Sequence, residues 1–343
     1  MGVMRWLAER LGGAPTGGGG SPGGAATFAG PGRQLVAHEV PRIQAHWEEV
    51  HVAPILHELG VADTATFFAK ALRDAVRRTG NERPRFLSLG AGSGQLKLRL
   101  AKAFAADGLG GFLFECVEPN PLLRSRLRAT ALAQGLDRHF VLVDASGNEW
   151  RAGRQRYDAV MADGALHRVV RLERLLDEVQ KSMADGAWFA TRARIGRNGH
   201  RRWPEALAEV QRFWQELPQS HRWNHQLRRQ EQHFTDWDHA RIGDDGVRAQ
   251  DVLPELLRRF SASAFAAFGN VVDVFTGVAF GPNFAAGNAW DREFVAAVHA
   301  RDEELLQSGR LSPTHMVAAW SKDAEPVRVH ARGLPPERCV RRE

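Results

Sequence analysis

The chain predicts an α/β fold, a parallel sheet with helices on both faces. Three observations carry that expectation. Between residues 84 and 195, short apolar runs of strand length alternate with longer runs of helical period. The first strand, Phe86 to Leu89, stops at the glycine cluster Gly90-Ala91-Gly92-Ser93-Gly94. Three later strands each end on an acid, namely Glu118, Asp144 and Asp163. Ligands of open α/β sheets bind at that carboxyl edge.

The elements follow in order. Ile43, Trp47, Val50 and Ile55 predict a helix within Glu39 to Leu59. Asp63 is placed to cap a second helix, with Phe67, Phe68, Ala71 and Leu72 inward and Gly80-Asn81 at its end. These helices can form a lid over the sheet edge or simply pack on the sheet. After the glycine turn, Leu96 to Phe104 reads as a helix. Phe112 to Val117 is the second strand, and Pro121 opens the helix Leu122 to Gln134. Phe140 to Val143, Tyr157 to Ala162 and Trp188 to Ile195 are strands three to five. Leu172, Leu175, Leu176, Val179 and Met183 mark the helix between the last two. Beyond residue 196 the alternation breaks. Helices are expected after Pro204, over Val252 to Phe260 and after the cap Asn288, and strands over Phe265 to Thr276 and His315 to Trp320.

The domain reading is a Gly-rich leader over 1–34, an N-terminal helical lid over 35–80, the sheet domain over 81–322 and a basic, mobile tail over 323–343. Helical insertions are expected at 196–250 and 282–310. A chain of 343 residues with 43% apolar and 25% charged residues is ordinary for a soluble globular protein. It has no apolar run long enough for a membrane span. The two cysteines, Cys116 and Cys339, have no metal-like spacing, and the N-terminus lacks a signal-peptide pattern, so a cytoplasmic location is expected. The net charge of +6 is carried by arginine, since only five of 46 basic residues are lysine. The excess gathers in Arg192 to Arg202 and in the tail, either as solvated surface or as a footprint for anionic partners.

Glycines before a helix let a cofactor approach the backbone, because they lack Cβ and tolerate positive φ. An acid after the second strand can accept both hydroxyls of a ribose, which suits either NAD or S-adenosylmethionine. The glycines fall at 90, 92 and 94, whereas the dinucleotide fingerprint wants 90, 92 and 95, and residue 95 is Gln. Asp144, after the third strand, is placed to accept from an adenine amino group.

At this point the order RFLSLGAGSG, LFECVEPNP, VLVDAS and YDAVMADGALHRV resembles the class I S-adenosylmethionine-dependent methyltransferases. The resemblance covers residues 84–195 well and 260–322 loosely. It implies a Rossmann-like seven-stranded, mostly parallel sheet whose antiparallel last strand inserts beside the fifth. It implies S-adenosylmethionine as cofactor, with Gly90, Ala91, Gly92 and Gly94 near its methionine part. Glu118 then takes the ribose, Asp144 and the Ala145 backbone the adenine, with Ser146 nearby, and Asp163 lines the transfer pocket. ARIGRNGHRRWPEAL is similar to a segment found after the fifth strand in some bacterial members. Two departures stand out: Ser88 replaces the frequent acid before the glycines, and Arg168 stands where many members have a second His.

Methyl transfer to oxygen benefits from a base near neutrality, and histidine is the default. His167, just past strand four, is the first candidate, His200 the second, and Asp163 a cofactor or substrate contact or a helix cap. No metal is expected, because the histidines of 219–239 do not form a ligand motif. ADGAL stands where a DNA amino-methylating enzyme carries Asn/Asp-Pro-Pro-aromatic, and no Pro-Cys nucleophile is present. These features favour a small-molecule, sugar or lipid-linked acceptor methylated on oxygen. They argue against nucleic acid while leaving RNA open. A nicotinamide oxidoreductase and a non-catalytic protein on this fold are the other readings.

Overall fold

A computed structural model describes residues 40–90, 92–241, 243–323 and 328–341. The leader and Ala91 lie outside the described residues. The elements of the sheet are β1 (Arg85–Leu89), β2 (Leu113–Val117), β3 (Phe140–Val143), β4 (Tyr157–Asp163), β5 (Met183–Arg194), β6 (Ser261–Phe268), β7 (His315–Ser321) and β8 (Val329–His330). The helices are α1 (Arg42–Trp47), α2 (Ala53–His57), α3 (Thr64–Thr79), α4 (Gln95–Ala106), α5 (Pro121–Ala133), α6 (Leu172–Ser182), α7 (Pro204–Glu216), α8 (Ala249–Leu257), α9 (Val272–Thr276), α10 (Ala289–Gln307) and α11 (Pro336–Cys339).

The strands lie in the order β8-β6-β7-β5-β4-β1-β2-β3. β7 runs antiparallel to both β5 and β6, and the remaining pairs are parallel. This is the expected Rossmann-like sheet with its reversed strand inserted beside the fifth. Two apolar cores cover its faces. The first includes Phe67 and Phe68 of α3, Phe104 of α4 against Phe86 and Phe114, and Trp214 of α7 against Phe275 and Phe280. The second sets α6 and α8 against Phe189 and Trp320. Full burial of such rings contributes the bulk of the favourable free energy. No described helix is long and apolar enough to cross a membrane.

Several caps form as their residues predict. Asp63 Oδ1 accepts from the Thr66 N–H at 2.7 Å, and Thr66 Oγ1 accepts from the Asp63 N–H at 2.9 Å. Asn120 caps α5 and Asn288 caps α10. α3 lies along the sheet face, where Arg78 Nε donates to the Gly186 carbonyl at 3.2 Å. α1 instead reaches the carboxyl edge, its Trp47 ring 6.2 Å from Phe268 at the end of β6.

Four expectations need correction. The single helix over Glu39 to Leu59 is interrupted by a π-turn, Glu48–Val52. Pro54 has no N–H to donate one turn back, so the ladder slips there. The sixth strand does not reach Thr276. Gly269 turns left-handed (φ 70°), and the next N–H groups, of Asn270 and Val272, donate to the Asp302 carboxylate to open α9. Tertiary capping there overrides the β-propensity of Val271 and Val272. Among the described residues the sheet has eight strands, not seven, because Val329–His330 pairs with β6. The described part of the tail is not loose. Leu334 and Cys339 are buried, and Arg332 bonds Glu303 and the Ala267 carbonyl. Apolar residues spaced among its arginines anchor it.

Candidate functional site

The site is built at the carboxyl edge, where β1 gives way to α4. Gly90, Gly92 and Gly94 all adopt left-handed backbone, with φ of 79°, 52° and 76°. Such backbone suits glycine alone at low cost. Their surroundings differ. A Cβ on Gly94 would come within 2.8 Å of Leu127 Cδ1, so this glycine permits α4 and α5 to approach. A Cβ on Gly92 would meet no atom within 4 Å among the described residues. Gly94→Ala combines a strained φ with that clash, and we expect a loss of about 1–3 kcal/mol. Thermal unfolding of the variant checks this; a melting temperature equal to wild type would show that Leu127 yields freely.

Parallel pairing of β1, β2 and β3 brings the next two acids beside the turn. Glu118 is fully buried, its N–H donates to the Val143 carbonyl, and its Oε1 accepts from the Asn120 N–H at 3.0 Å. Asp144 is largely exposed, yet both its oxygens are held by the Arg124 guanidinium at 2.7 Å. Arg124 also donates to the Glu118 carbonyl at 2.6 Å, tying the two strand ends together. The Ala145 N–H donates to the Val143 carbonyl, and Ser146 Oγ donates to Glu149 Oε2 at 2.8 Å.

Asp163 ends β4 and accepts from Arg192 Nε of β5 at 2.5 Å. Burial pushes its pKa up, but the charges of Arg192 and Lys97 outweigh that and hold the carboxyl below its ordinary range. It caps no helix. The following 3-10 turn, Leu166–Arg168, starts from Ala165. Lys97, only 3% exposed, stands in the first turn of α4, where a cation opposes the helix dipole.

His167 and His200 come from separate turns and meet on one atom. The Nε2 of each lies 3.1 Å from Asp245 Oδ1, and the two rings are 5.3 Å apart. Arg168 completes the node, donating Nη2 to Asp245 Oδ1 at 2.9 Å and Nη1 to Asp244 Oδ1 at 2.8 Å. Local backbone makes this meeting possible. His200 itself has positive φ, and Gly246 leaves room for its ring, since a Cβ there would lie 2.9 Å from it. Burial lowers the pKa of both histidines, only partly offset by Asp245. Burial disfavours the Asp245 charge, but its bonds to His167 and His200 hold the carboxyl far below the usual carboxylate range. His239 stacks on Trp237, with ring centroids 3.8 Å apart, and burial lowers its pKa to about 4.

His167, His200 and Asp245 offer donor atoms within 4.8 Å of one another, a set that can hold a divalent metal. Arg168 already sits on the shared oxygen, however, and its charge would repel a cation there. The arrangement suits a hydrogen-bonded node better.

The structure therefore divides the named residues among three places. Gly90, Gly92, Gly94, Glu118 and Asp144 surround the turn after β1. His167 and His200 join a neighbouring node, and Asp163 lies near Lys97 of α4. Asp245, Lys97 and Arg124 were not singled out by sequence. Lys97 had a signal, a cation at the start of an apolar helix. Asp245 had none, lying in a polar loop without period. Two surface clefts, of about 500 and 300 Å³, are lined by none of these residues.

No family model and no curated protein matches the chain. Solved structures match it in fold. The [4+2]-cyclase SpnF is 15% identical, with 82% of this chain and 96% of that one covered and a TM-score of 0.42. The plantazolicin methyltransferase BpumL in complex with S-adenosylhomocysteine is 8% identical, with coverage of 82% and 90% and a TM-score of 0.38. An S-adenosylmethionine-dependent methyltransferase from Clostridium acetobutylicum is 13% identical over 46% and 61%, with a TM-score of 0.33. At these values the likeness carries no argument about substrate or activity.

Proposed function

We propose that the chain transfers a methyl group from S-adenosylmethionine to an oxygen of a small-molecule, sugar or lipid-linked acceptor. The observation that carries this reading is the pairing of left-handed Gly90, Gly92 and Gly94 with buried Glu118 at the adjacent strand end. The glycines supply a backbone a cofactor can touch, and Glu118 supplies acceptors for ribose hydroxyls. The cofactor brings an activated methyl group. Held by the Gly90, Gly92 and Gly94 backbone and by Glu118, it would offer that methyl group to the acceptor oxygen. The acceptor proton passes to a base. His167 is our candidate, with its Nε2 proton committed to Asp245 and its buried Nδ1 without a partner among the described residues. A low pKa keeps that imidazole neutral and able to accept.

The test is calorimetric titration with S-adenosylhomocysteine. Glu118→Ala should weaken binding by about 100-fold, the worth of two hydrogen bonds to a charged acceptor. NAD should not bind. Absence of binding to folded wild-type protein would overturn the reading. One observation favours a second reading, a non-catalytic protein on this fold. The Asp144 carboxylate, assigned to adenine, is occupied by Arg124. Arg124→Ala separates the two, because it should strengthen or preserve cofactor binding if Asp144 serves adenine.

A further inference from the structure

β5 alternates its side chains between the two cores, Trp188 and Ala190 toward the first, Phe189 and Ala193 toward the second. The same alternation puts Arg192 and Arg194 on the first face, at the carboxyl end of the strand. His315 stands opposite Arg194 on β7 and shares that face with Val317 and Ala319. The acids along this rim are committed elsewhere. Asp163 holds Arg192, and Asp245 holds Arg168 with the two histidines. Asp273 takes the Thr314 hydroxyl and lies 3.4 Å from His315 and 3.8 Å from Arg202. Asp236 accepts from the Arg202 N–H at 2.9 Å.

Arg194 is the exception. It is half-buried, and no hydrogen bond, ion pair or ring contact of its side chain occurs among the described residues. Its charge nonetheless acts across the rim. Beyond the effect of burial, it helps lower the pKa of His167, His200, His239 and His315. A guanidinium with no carboxylate partner among the described residues is free to take an anionic group from a ligand. Its planar fork matches carboxylate and phosphate oxygens two at a time.

We propose that Arg194 recognises the acceptor, and that the acceptor carries an anionic group, a carboxylate or a phosphate monoester. The anion's place in methyl transfer rests on the function proposed above; the anion site itself does not. The group would sit on the first face between β5 and β7, leaving the acceptor oxygen toward His167 and Asp163.

The experiment titrates the full-length protein with inorganic phosphate and, separately, acetate, each with and without S-adenosylhomocysteine. Wild type should bind one anion saturably. Arg194→Gln should weaken that binding by at least about tenfold, a change of about 1.4 kcal/mol. Arg194→Lys, which keeps the charge and loses the fork, should fall between and decides the matter if the Gln variant does not fold. S-adenosylhomocysteine affinity should be equal in all three. Proton NMR gives a second readout. Phosphate or acetate should raise the titration midpoints of His239 and His315 in wild type and leave them unmoved in Arg194→Gln. Preference between the anions tells a phosphate acceptor from a carboxylate. Equal binding by wild type and Arg194→Gln, or no anion binding by wild type, overturns the proposal. If anion binding depends on Arg194 while S-adenosylhomocysteine never binds, the methyl-transfer reading falls and the anion site stands.

Discussion

Replacing Asp245 by alanine is expected to destabilise the protein by about 3–5 kcal/mol, measured by chemical denaturation. Three donors converge on one oxygen: His167 Nε2, His200 Nε2 and Arg168 Nη2. Alanine leaves all three without their acceptor, and His167 is 4% exposed, so water cannot readily replace it. The guanidinium weighs most, because an uncompensated charge costs more than an unmet neutral donor. Arg168 keeps Asp244, which limits the loss at that end. Asp245→Asn retains an accepting oxygen but not the charge, and should cost about 1–3 kcal/mol. An alanine variant within about 0.5 kcal/mol of wild type would show that the node is not a coupled unit. The same substitution removes the main influence that raises the His167 pKa, so it should make that imidazole a weaker base still.

The contrast between this node and the glycine turn explains what the sequence could reveal. β1 to β5 were legible because each has a strong local signal, an apolar run of strand length closed by glycine or an acid. Gly90, Gly92, Gly94 and Glu118 lie within one strand-turn-helix-strand stretch, so their proximity follows from topology alone. The node has no such origin. His167 and Asp245 are 78 positions apart, and Asp245 follows a stretch without regular period. Only three-dimensional closure brings them together. Arg192 to Arg202 read as a basic patch, yet Arg202 is 7% exposed and Arg192 is paired with Asp163. Composition counts charges without showing which are neutralised. The break after Phe268 was illegible for a similar reason, since the Asp302 carboxylate that accepts from Asn270 lies 32 positions away.

Acidification from pH 6.5 to 4 should remove stability steeply, and the sign follows from the buried titrating groups. Burial lowers His239, His299 and His315 to about 4 from an ordinary 6.5. In this window their unfolded forms take up protons and their folded forms do not, so stability falls as pH falls. Asp302 works the other way. Burial raises it to about 7, and the charge of nearby Asp273 adds to that. The folded chain therefore keeps a proton there that the unfolded chain has lost. Three histidines against one aspartate leave two protons in favour of the unfolded state. After solvent screening that is a slope of about 2 kcal/mol per pH unit. His51, His167, His200 and His330, also lowered, steepen it; Asp236, raised by burial, opposes it. Denaturation midpoints taken across the window measure the slope. Asp302→Asn removes the opposing group and should make the dependence steeper, because the histidines then act without a counterweight. A flat profile, or stability that rises on acidification, would mean that these imidazoles reach water in the folded protein.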